Sequence, residues 1–428
     1  MVRLKEHKEL TESKAIERFP APARVYIPLS QHLGKSCQPL VKLQDQVFLG
    51  QKIASAEAHV FSPIHASVSG KVVGLQDWPH PLLGRSPAIV IENDGTDNRP
   101  SSFVPRPSKS VEELSPEEMR SIIFEAGIVG MGGASFPTQI KLNPPKPVDT
   151  LIVNGAECEP YLTCDCRLML EKSAEILKGI GLVVKCLGVK NVYIAIEDNK
   201  PEAIRLFESA VHGTPYAVRV LKTQYPQGGE KQLIKKVLGR EVPSGKLPFD
   251  IGVVVHNVGT LLAIYEAVYL NKPLYERAVT VTGSILSNPK NLLVRIGTPI
   301  SALIDYCGPL KEAAGKVIVG GPMMGLAQYS LDVPVIKSTS GIVVLSRKEA
   351  VKPIEEFCIR CGACVRDCPA GLMPCMISLA SSAGNWALAQ EYNVADCIEC
   401  GICAYVCPAK RDMVQQMKHA KFMLAKTK

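Results

Sequence analysis

Two runs of four cysteines could do chemistry on spacing alone: Cys358-x2-Cys361-x2-Cys364-x3-Cys368-Pro369 and Cys397-x2-Cys400-x2-Cys403-x3-Cys407-Pro408. Thiolates are soft metal ligands, and three of them separated by two residues can wrap one corner of an iron–sulfur cubane from a single tight loop. The fourth is carried away from that corner by the start of a helix. A structural zinc site prefers paired Cys-x2-Cys and four ligands in all, so it fits this pattern less well.

The spacing is that of bacterial ferredoxins with two [4Fe–4S] clusters, in which the fourth cysteine of each run serves the other cluster. It implies one cluster on Cys358, Cys361, Cys364 and Cys407, and a second on Cys397, Cys400, Cys403 and Cys368. Gly362 and Gly401 would let the loop backbone approach the sulfides, and Pro369 and Pro408 would close each loop. Cys375 reads as a packed thiol. Two such clusters make a path for single electrons, and something must feed it.

A second constellation lies upstream. Residues 126–141 run Ala-Gly-Ile-Val-Gly-Met-Gly-Gly-Ala-Ser-Phe-Pro-Thr-Gln-Ile-Lys, and after one strand comes Asn154-Gly-Ala-Glu157-Cys-Glu159-Pro160. A glycine loop by itself is often only a turn. A lysine at its far end, and a strand closing on Asn and two carboxylates, suit a polar ligand at the carboxyl edge of a sheet.

The elements that must hold these groups read as a multidomain α/β chain. Residues 21–95 are short strands broken by turns and resemble the flattened barrel of biotinyl and lipoyl carriers. His65-Ala66-Ser67 stands where a modifiable lysine would be, which points to a structural module. After a Pro- and Ser-rich linker, Ser115-Pro116-Glu117-Glu118 starts a helix with an N-cap, Pro at its first position and acids in its first turn. From 148 to 283, apolar strands alternate with helical stretches, as in a Rossmann-like layer structure. Short strands and one helix over 291–345 fit a β-grasp module, and the remainder is helical and cysteine-rich. The expected domains are 1–112 (barrel and linker), 113–285 (α/β), 286–350 (β-grasp) and 351–428 (double-cluster).

The 428 residues, 46% apolar and 21% charged, describe a globular protein. Fifteen cysteines, an odd number, behind a charged N-terminus do not resemble a secreted disulfide scaffold. A net charge of +8 with no aromatic–basic motif argues against nucleic-acid binding. The most apolar stretch, 176–189, is interrupted by Lys178 and Lys185, so a soluble or peripheral protein without a transmembrane segment is expected. Cys158, Cys164 and Cys166 cluster beside the acids without an evident fourth ligand and are expected to be thiols. The basic tail places Met413, Met417, Ala420 and Leu424 at helical spacing, giving either a solvated helix with one packed face or a docking helix for an acidic or membrane surface.

Gly130-x-Gly132-Gly133-Ala-x-Phe136-Pro-Thr-x-x-Lys141, Asn154-x-x-Glu157-x-Glu159-Pro160, Gly229-Glu230 and Asn257-Val-x-Thr260-Leu resemble the flavin- and NADH-binding subunit of respiratory complex I. The order of modules, with the motifs at 154–161 and 225–231, resembles the C-subunit family of Rnf ferredoxin:NAD oxidoreductase complexes over nearly the whole chain. The resemblance implies FMN held non-covalently by Gly130, Gly132, Gly133, Lys141, Asn154, Glu157, Gly229, Glu230, Asn257 and Thr260. It implies catalytic contributions from Phe136, stacking on NADH, and from Glu159, hydrogen-bonding near the flavin ring. Three positions depart from the complex I pattern: Ala156 for Asp, Lys231 for the second acid after Gly229, and His256 for the first Asn of a pair.

The activity so implied is exchange of hydride between NAD(H) and FMN and of single electrons between FMN and two [4Fe–4S] clusters. The chain would act at the cytoplasmic face of a membrane, beside integral-membrane and ferredoxin-like subunits, with ferredoxin reached indirectly. The alternatives are a soluble NADH-dependent flavin/iron–sulfur reductase, such as a cobalamin reductase, and a flavin-free relay subunit.

Overall fold

A computed structural model describes residues 2–101, 103–351 and 353–426. The barrel is a sandwich of two antiparallel sheets. One has the order Arg24–Pro28, Gly84–Asn93, Gly70–His80, Gln46–Val47, and the other Gln38–Pro39, Lys52–Ser55, Ile64–His65. Alternate residues point inward, so Val25, Ile27, Ile53, Ile64, Val72, Ile89 and Ile91 form its core.

The α/β domain is built on a four-stranded parallel sheet ordered Tyr216–Leu221, Asn191–Glu197, Thr150–Gly155, Val253–Asn257. Both faces are covered, which is why these strands read as apolar runs. Leu151, Val153, Ile194 and Ile196 meet helices Pro116–Glu125, Ser173–Leu187, Pro201–Val211 and Val258–Leu270, whereas Ile152, Ala195, Val253 and Val255 meet helix Glu230–Leu238. Helix Pro116–Glu125 begins with the capping box Ser115/Glu118, each side chain accepting from the other's backbone amide.

The β-grasp sheet has six strands in the order Ile16–Arg18, Lys290–Arg295, Glu276–Thr282, Gly341–Ser346, Ala314–Val319, Leu326–Ala327, with helix Ile300–Tyr306 packed on it. Two of these strands lie outside the range 286–350 expected from sequence. Glu276–Thr282 is buried throughout and forms an antiparallel pair with Lys290–Arg295, so it belongs with the sheet it completes. Ile16–Arg18 pairs in parallel with Asn291–Leu293 and so adds an edge strand to the same sheet.

In the cysteine-rich domain, helix Met413–Lys426 buries Met413, Met417 and Ala420 against Leu372, Ile377, Ala389 and Val394. Gln415, His419, Phe422 and Lys426 form its exposed face. Among the described residues, no helix is long and apolar enough to cross a membrane.

Candidate functional site

The glycine run lies between helix Pro116–Glu125 and the short helix Thr138–Lys141. Gly130 N donates to Phe136 O at 2.8 Å and Val129 bridges Pro137, closing the run into a loop. Gly133 sits at φ +113°, where a side chain would be strained. The loop rests on the start of helix Val258–Leu270: Met131 N donates to Thr260 Oγ1 at 2.9 Å, and Gly132 lies against the Asn257 side chain. Asn257 caps that helix by accepting from Gly259 N at 2.8 Å. It is also the register partner of Asn154, so the two amides end adjacent parallel strands at the edge where open α/β sheets take their ligands.

Asn154 Nδ2 donates to Gly228 O at 2.9 Å, tying its strand to the turn before helix Glu230–Leu238. Glu157, at φ +44°, lays its carboxylate on the start of helix Cys164–Glu171 and accepts from Asp165 N at 2.6 Å and Cys166 N at 3.1 Å. Asp165 Oδ2 accepts from Asn257 Nδ2 at 2.6 Å. Burial first, and the neighbouring Glu157 second, pushes the Asp165 carboxyl up. Lys141 Nζ pairs with Glu230 Oε1 at 2.5 Å and donates to Val255 O at 3.1 Å.

Ser135 Oγ, Thr138 Oγ1 and His256 Nε2 are buried in and beside this loop and have no hydrogen-bond partner among the described residues. Burial, with Lys141 adding to it, pushes His256 down to about 3, so its ring is neutral near pH 7. Unspent polar atoms, helix-start amides and one lysine around a glycine loop suit a flat cofactor with a polar edge and a phosphate, which FMN is.

The two cysteine runs share one backbone path. Arg360 and Glu399 are both left-handed, at φ 56° and 57°, and Gly362 and Gly401 each precede a single helical turn, Ala363–Arg366 and Ile402–Tyr405. Cys368, Cys397, Cys400 and Cys403 line a common cavity with Pro369, Leu372 and Met417. Cys364 lies within electrostatic reach of Cys375 and Cys407, and burial with the Cys375 thiol pushes it up to about 11. The loops differ in setting. Cys358 and Cys361 are exposed, whereas Cys400 is buried in an apolar cluster with Tyr225, Ile402, Cys158 and Met323.

Family profiles match this architecture: the RnfC barrel sandwich hybrid domain over residues 2–96, the Nuo51 FMN-binding domain over 123–266, the SLBB domain over 278–327 and a 4Fe-4S dicluster domain over 350–408. The chain is 50% identical over 417 residues to the C subunit of the proton-translocating ferredoxin:NAD(+) oxidoreductase complex of Clostridium ljungdahlii, covering 97% of this chain and 91% of that one. It belongs to the Rnf C-subunit family. The corresponding subunit of the Na(+)-translocating complex of Acetobacterium woodii is 45% identical, covering 97% of this chain and 94% of the relative. That of Rhodobacter capsulatus is 44% identical, covering 98% and 81%. Among solved structures, an NAD+-reducing [NiFe]-hydrogenase in the H2-reduced state shares the fold at TM-score 0.54 and 18% identity, over 75% of this chain and 68% of the other.

In this Rnf C-type subunit, the expected FMN residues fall into two linked groups. Gly130, Gly132, Gly133, Asn257 and Thr260 join Glu157 through Asp165, while Asn154, Gly229, Glu230 and Lys141 join at the neighbouring strand ends. Phe136 is half-buried and closes the glycine loop with its backbone. Glu159, expected beside the flavin ring, has its carboxylate in hydrogen bonds with the β-grasp turn and Tyr225. Its Oε2 accepts from Met323 N at 3.1 Å, and its Oε1 from Met324 N at 2.9 Å and Tyr225 Oη at 3.2 Å. The physical reason is steric as well as polar: the 320–325 turn approaches so closely that a Cβ on Gly321 would collide with the Glu159 carboxylate. Asp165 and Tyr225 escaped the sequence reading of individual site residues. Asp165 had a signal, an acid on the first turn of the helix that follows the Glu157–Glu159 pair.

Proposed function

We propose that this chain is the NAD(H)-reacting, peripheral subunit of an ion-translocating ferredoxin:NAD+ oxidoreductase, working at the cytoplasmic face of a membrane with integral-membrane and ferredoxin-like subunits. FMN would be held by Gly130, Gly132, Gly133, Lys141, Asn154, Glu157, Gly229, Glu230, Asn257 and Thr260. When bound, it supplies the exchange of hydride with NAD(H) and of single electrons with iron–sulfur clusters. The observation that carries the reading is the docking of the second cysteine loop on the flavin-type domain through Cys400 and Tyr225, the latter just ahead of the Gly228 turn that Asn154 holds at the sheet edge.

The chain's own residues have distinct tasks in this reading. Lys141 offsets phosphate charge, and the amides that start helices Val258–Leu270 and Glu230–Leu238 face the anionic end. Asn257 and Asp165 hold one another, which fixes the amide presented to the glycine loop. Phe136 offers a ring to the nicotinamide. Glu159 holds the β-grasp turn and Tyr225 in place between the two domains. One cluster would sit on Cys397, Cys400, Cys403 and Cys368 next to the flavin-type domain, and the other on Cys358, Cys361, Cys364 and Cys407 toward solvent.

The test is anaerobic purification of the full chain with iron, sulfide and flavin analysis. About eight irons per chain, and FMN that restores ferricyanide reduction by NADH, are expected. Fewer than about six irons, or no flavin bound after FMN is added back, would overturn the assignment.

A further inference from the structure

The N-terminal segment crosses the flavin-type domain before the barrel begins. Val2 and Tyr225 exchange backbone hydrogen bonds at 3.0 and 2.8 Å, and Tyr161 N donates to Glu6 O at 2.7 Å. The His7 ring stacks on Tyr161 at 4.6 Å, and Thr11 Oγ1 meets Thr163 Oγ1 at 2.7 Å. The strap therefore runs alongside the turn that carries Glu157 and Glu159. Beside these contacts lies a cleft lined by Leu4, Glu6, Lys8, Cys158, Asn199 and Tyr225, and the grip of the strap is concentrated on one residue of that lining.

It is concentrated on Lys8, which is 6% exposed. Its Nζ donates to Glu157 O at 2.9 Å, Glu159 O at 3.1 Å and Leu162 O at 2.5 Å. An ammonium has three donors, and all three are spent on one turn. Lys200, also buried, donates to Ala156 O at 2.7 Å, Asn199 Oδ1 at 2.8 Å and Glu197 Oε2 at 3.1 Å. This turn needs holding, because Glu157 and Tyr161 sit at φ 44° and 70°, where residues with side chains are uncommon. While its carbonyl is held by Lys8, the Glu157 side chain lies on Asp165 N and Cys166 N.

We propose that Lys8, though it lies outside the segment matched by the FMN-domain profile, is a positioning residue of the flavin site, locking the 156–162 turn so that Glu157 faces the cofactor. The inference rests on the flavin reading above. Without Nζ, three carbonyls of the turn lose their donor, and the turn regains conformations in which the Glu157 carboxylate leaves its helix start.

The test uses the full, cluster-loaded chain stripped of FMN, titrated by quenching of flavin fluorescence. Lys8→Met is expected to raise the FMN dissociation constant on the order of tenfold or more, with iron content unchanged. It should also change the flavin midpoint potential, because the Glu157 carboxylate is no longer held in one place. Lys5→Met removes the same charge from an exposed position of the same strap and should change neither. Lys8→Arg, whose planar fork cannot converge on three carbonyls as an ammonium does, should fall between. Should Lys8→Met fail to fold, Lys8→Arg carries the comparison. Unchanged FMN affinity and potential in the Lys8 variants overturn the proposal, as would an equal effect of Lys5→Met. Failure of the unsubstituted chain to bind FMN would instead overturn the flavin reading itself.

Discussion

Tyr225 Oη donates to Glu159 Oε1 at 3.2 Å while the Tyr225 ring packs in one apolar cluster with Cys400. A single side chain thus connects the acid turn of the flavin-type domain to the cysteine loop that faces it. Burial pushes the Glu159 carboxyl up, and the amides of Met323 and Met324, followed by the Tyr225 hydroxyl, offset only part of that rise. The junction has a polar part and an apolar part, so its two components can be separated by mutation.

Tyr225→Phe keeps the ring and removes the hydroxyl. It should cost about 1 kcal/mol, the net worth of one hydrogen bond, and leave the rate of cluster reduction by NADH unchanged. Tyr225→Ala removes a fully buried side chain and should cost about 3–5 kcal/mol while slowing cluster reduction, because the Cys400 loop loses its seat. Denaturant midpoints and stopped-flow traces check both. Equal kinetics in the two variants would mean that the packing does not set the electron path.

Asp165 gives a pH signature. Its folded-state carboxyl is raised, by burial and then by Glu157, above the unfolded value. The folded chain therefore binds that proton more tightly. Its contribution to stability is complete in acid and is lost as pH rises out of the ordinary carboxylate range. Asp165→Asn removes this titration, so the variant should gain stability relative to the unsubstituted chain as pH rises from about 4 to about 7. Melting temperatures of the FMN-free protein measured across that range test the sign; a constant difference between the two proteins would remove the raised carboxyl from the account.

Lys141 and Glu230 form an ion pair that is partly open to solvent, so breaking it should have little effect on folding. Lys141→Met should nevertheless weaken FMN binding by about 10- to 100-fold, the loss of one charge-assisted hydrogen bond to a phosphate. The deficit should shrink at high salt, where the unsubstituted chain loses part of the same attraction. Fluorescence titrations at low and high ionic strength would show it, and a salt-independent deficit would point to misfolding of the loop instead.

Local signals were readable in the chain and long-range ones were not. The cysteine runs and the capped helix at Ser115 are set by residues a few positions apart, and the glycine loop lies within 12 residues of Lys141. The strap is different. Ile16–Arg18 is a three-residue strand whose parallel partner is Asn291–Leu293, and nothing in its own pattern marks it as part of the β-grasp sheet. Lys8 looks like one basic residue in a charged N-terminus until folding brings three carbonyls to it. The partners of Glu159 were hidden for the same reason: its type and spacing suit a ligand contact, and the amides that its carboxylate accepts from lie 164 and 165 residues away.

The unequal setting of the two cysteine loops predicts an order of reduction. Cys400 and Cys403 are buried beside the flavin-type domain, while Cys358 and Cys361 are exposed, next to Ile354, Phe357 and Ile359, which are 82%, 91% and 69% exposed. Cys368 lies with the first set and Cys407 within reach of Cys364, the arrangement expected if each run lends its last cysteine across. Cys368→Ser and Cys407→Ser should therefore each remove about half of the iron, yet they should differ in what NADH can do. In Cys407→Ser the inner cluster remains beside the flavin and should still be reduced rapidly, giving one paramagnetic signal. In Cys368→Ser the surviving cluster is the outer one, separated from the flavin by the empty inner site, and its reduction by NADH should slow by orders of magnitude even though dithionite reduces it normally. Electron paramagnetic resonance after rapid freezing distinguishes the two. Equal reduction of both variants by NADH would mean that electrons reach the exposed loop without passing Cys400, and the contact between Tyr225 and Cys400 would then be structural only.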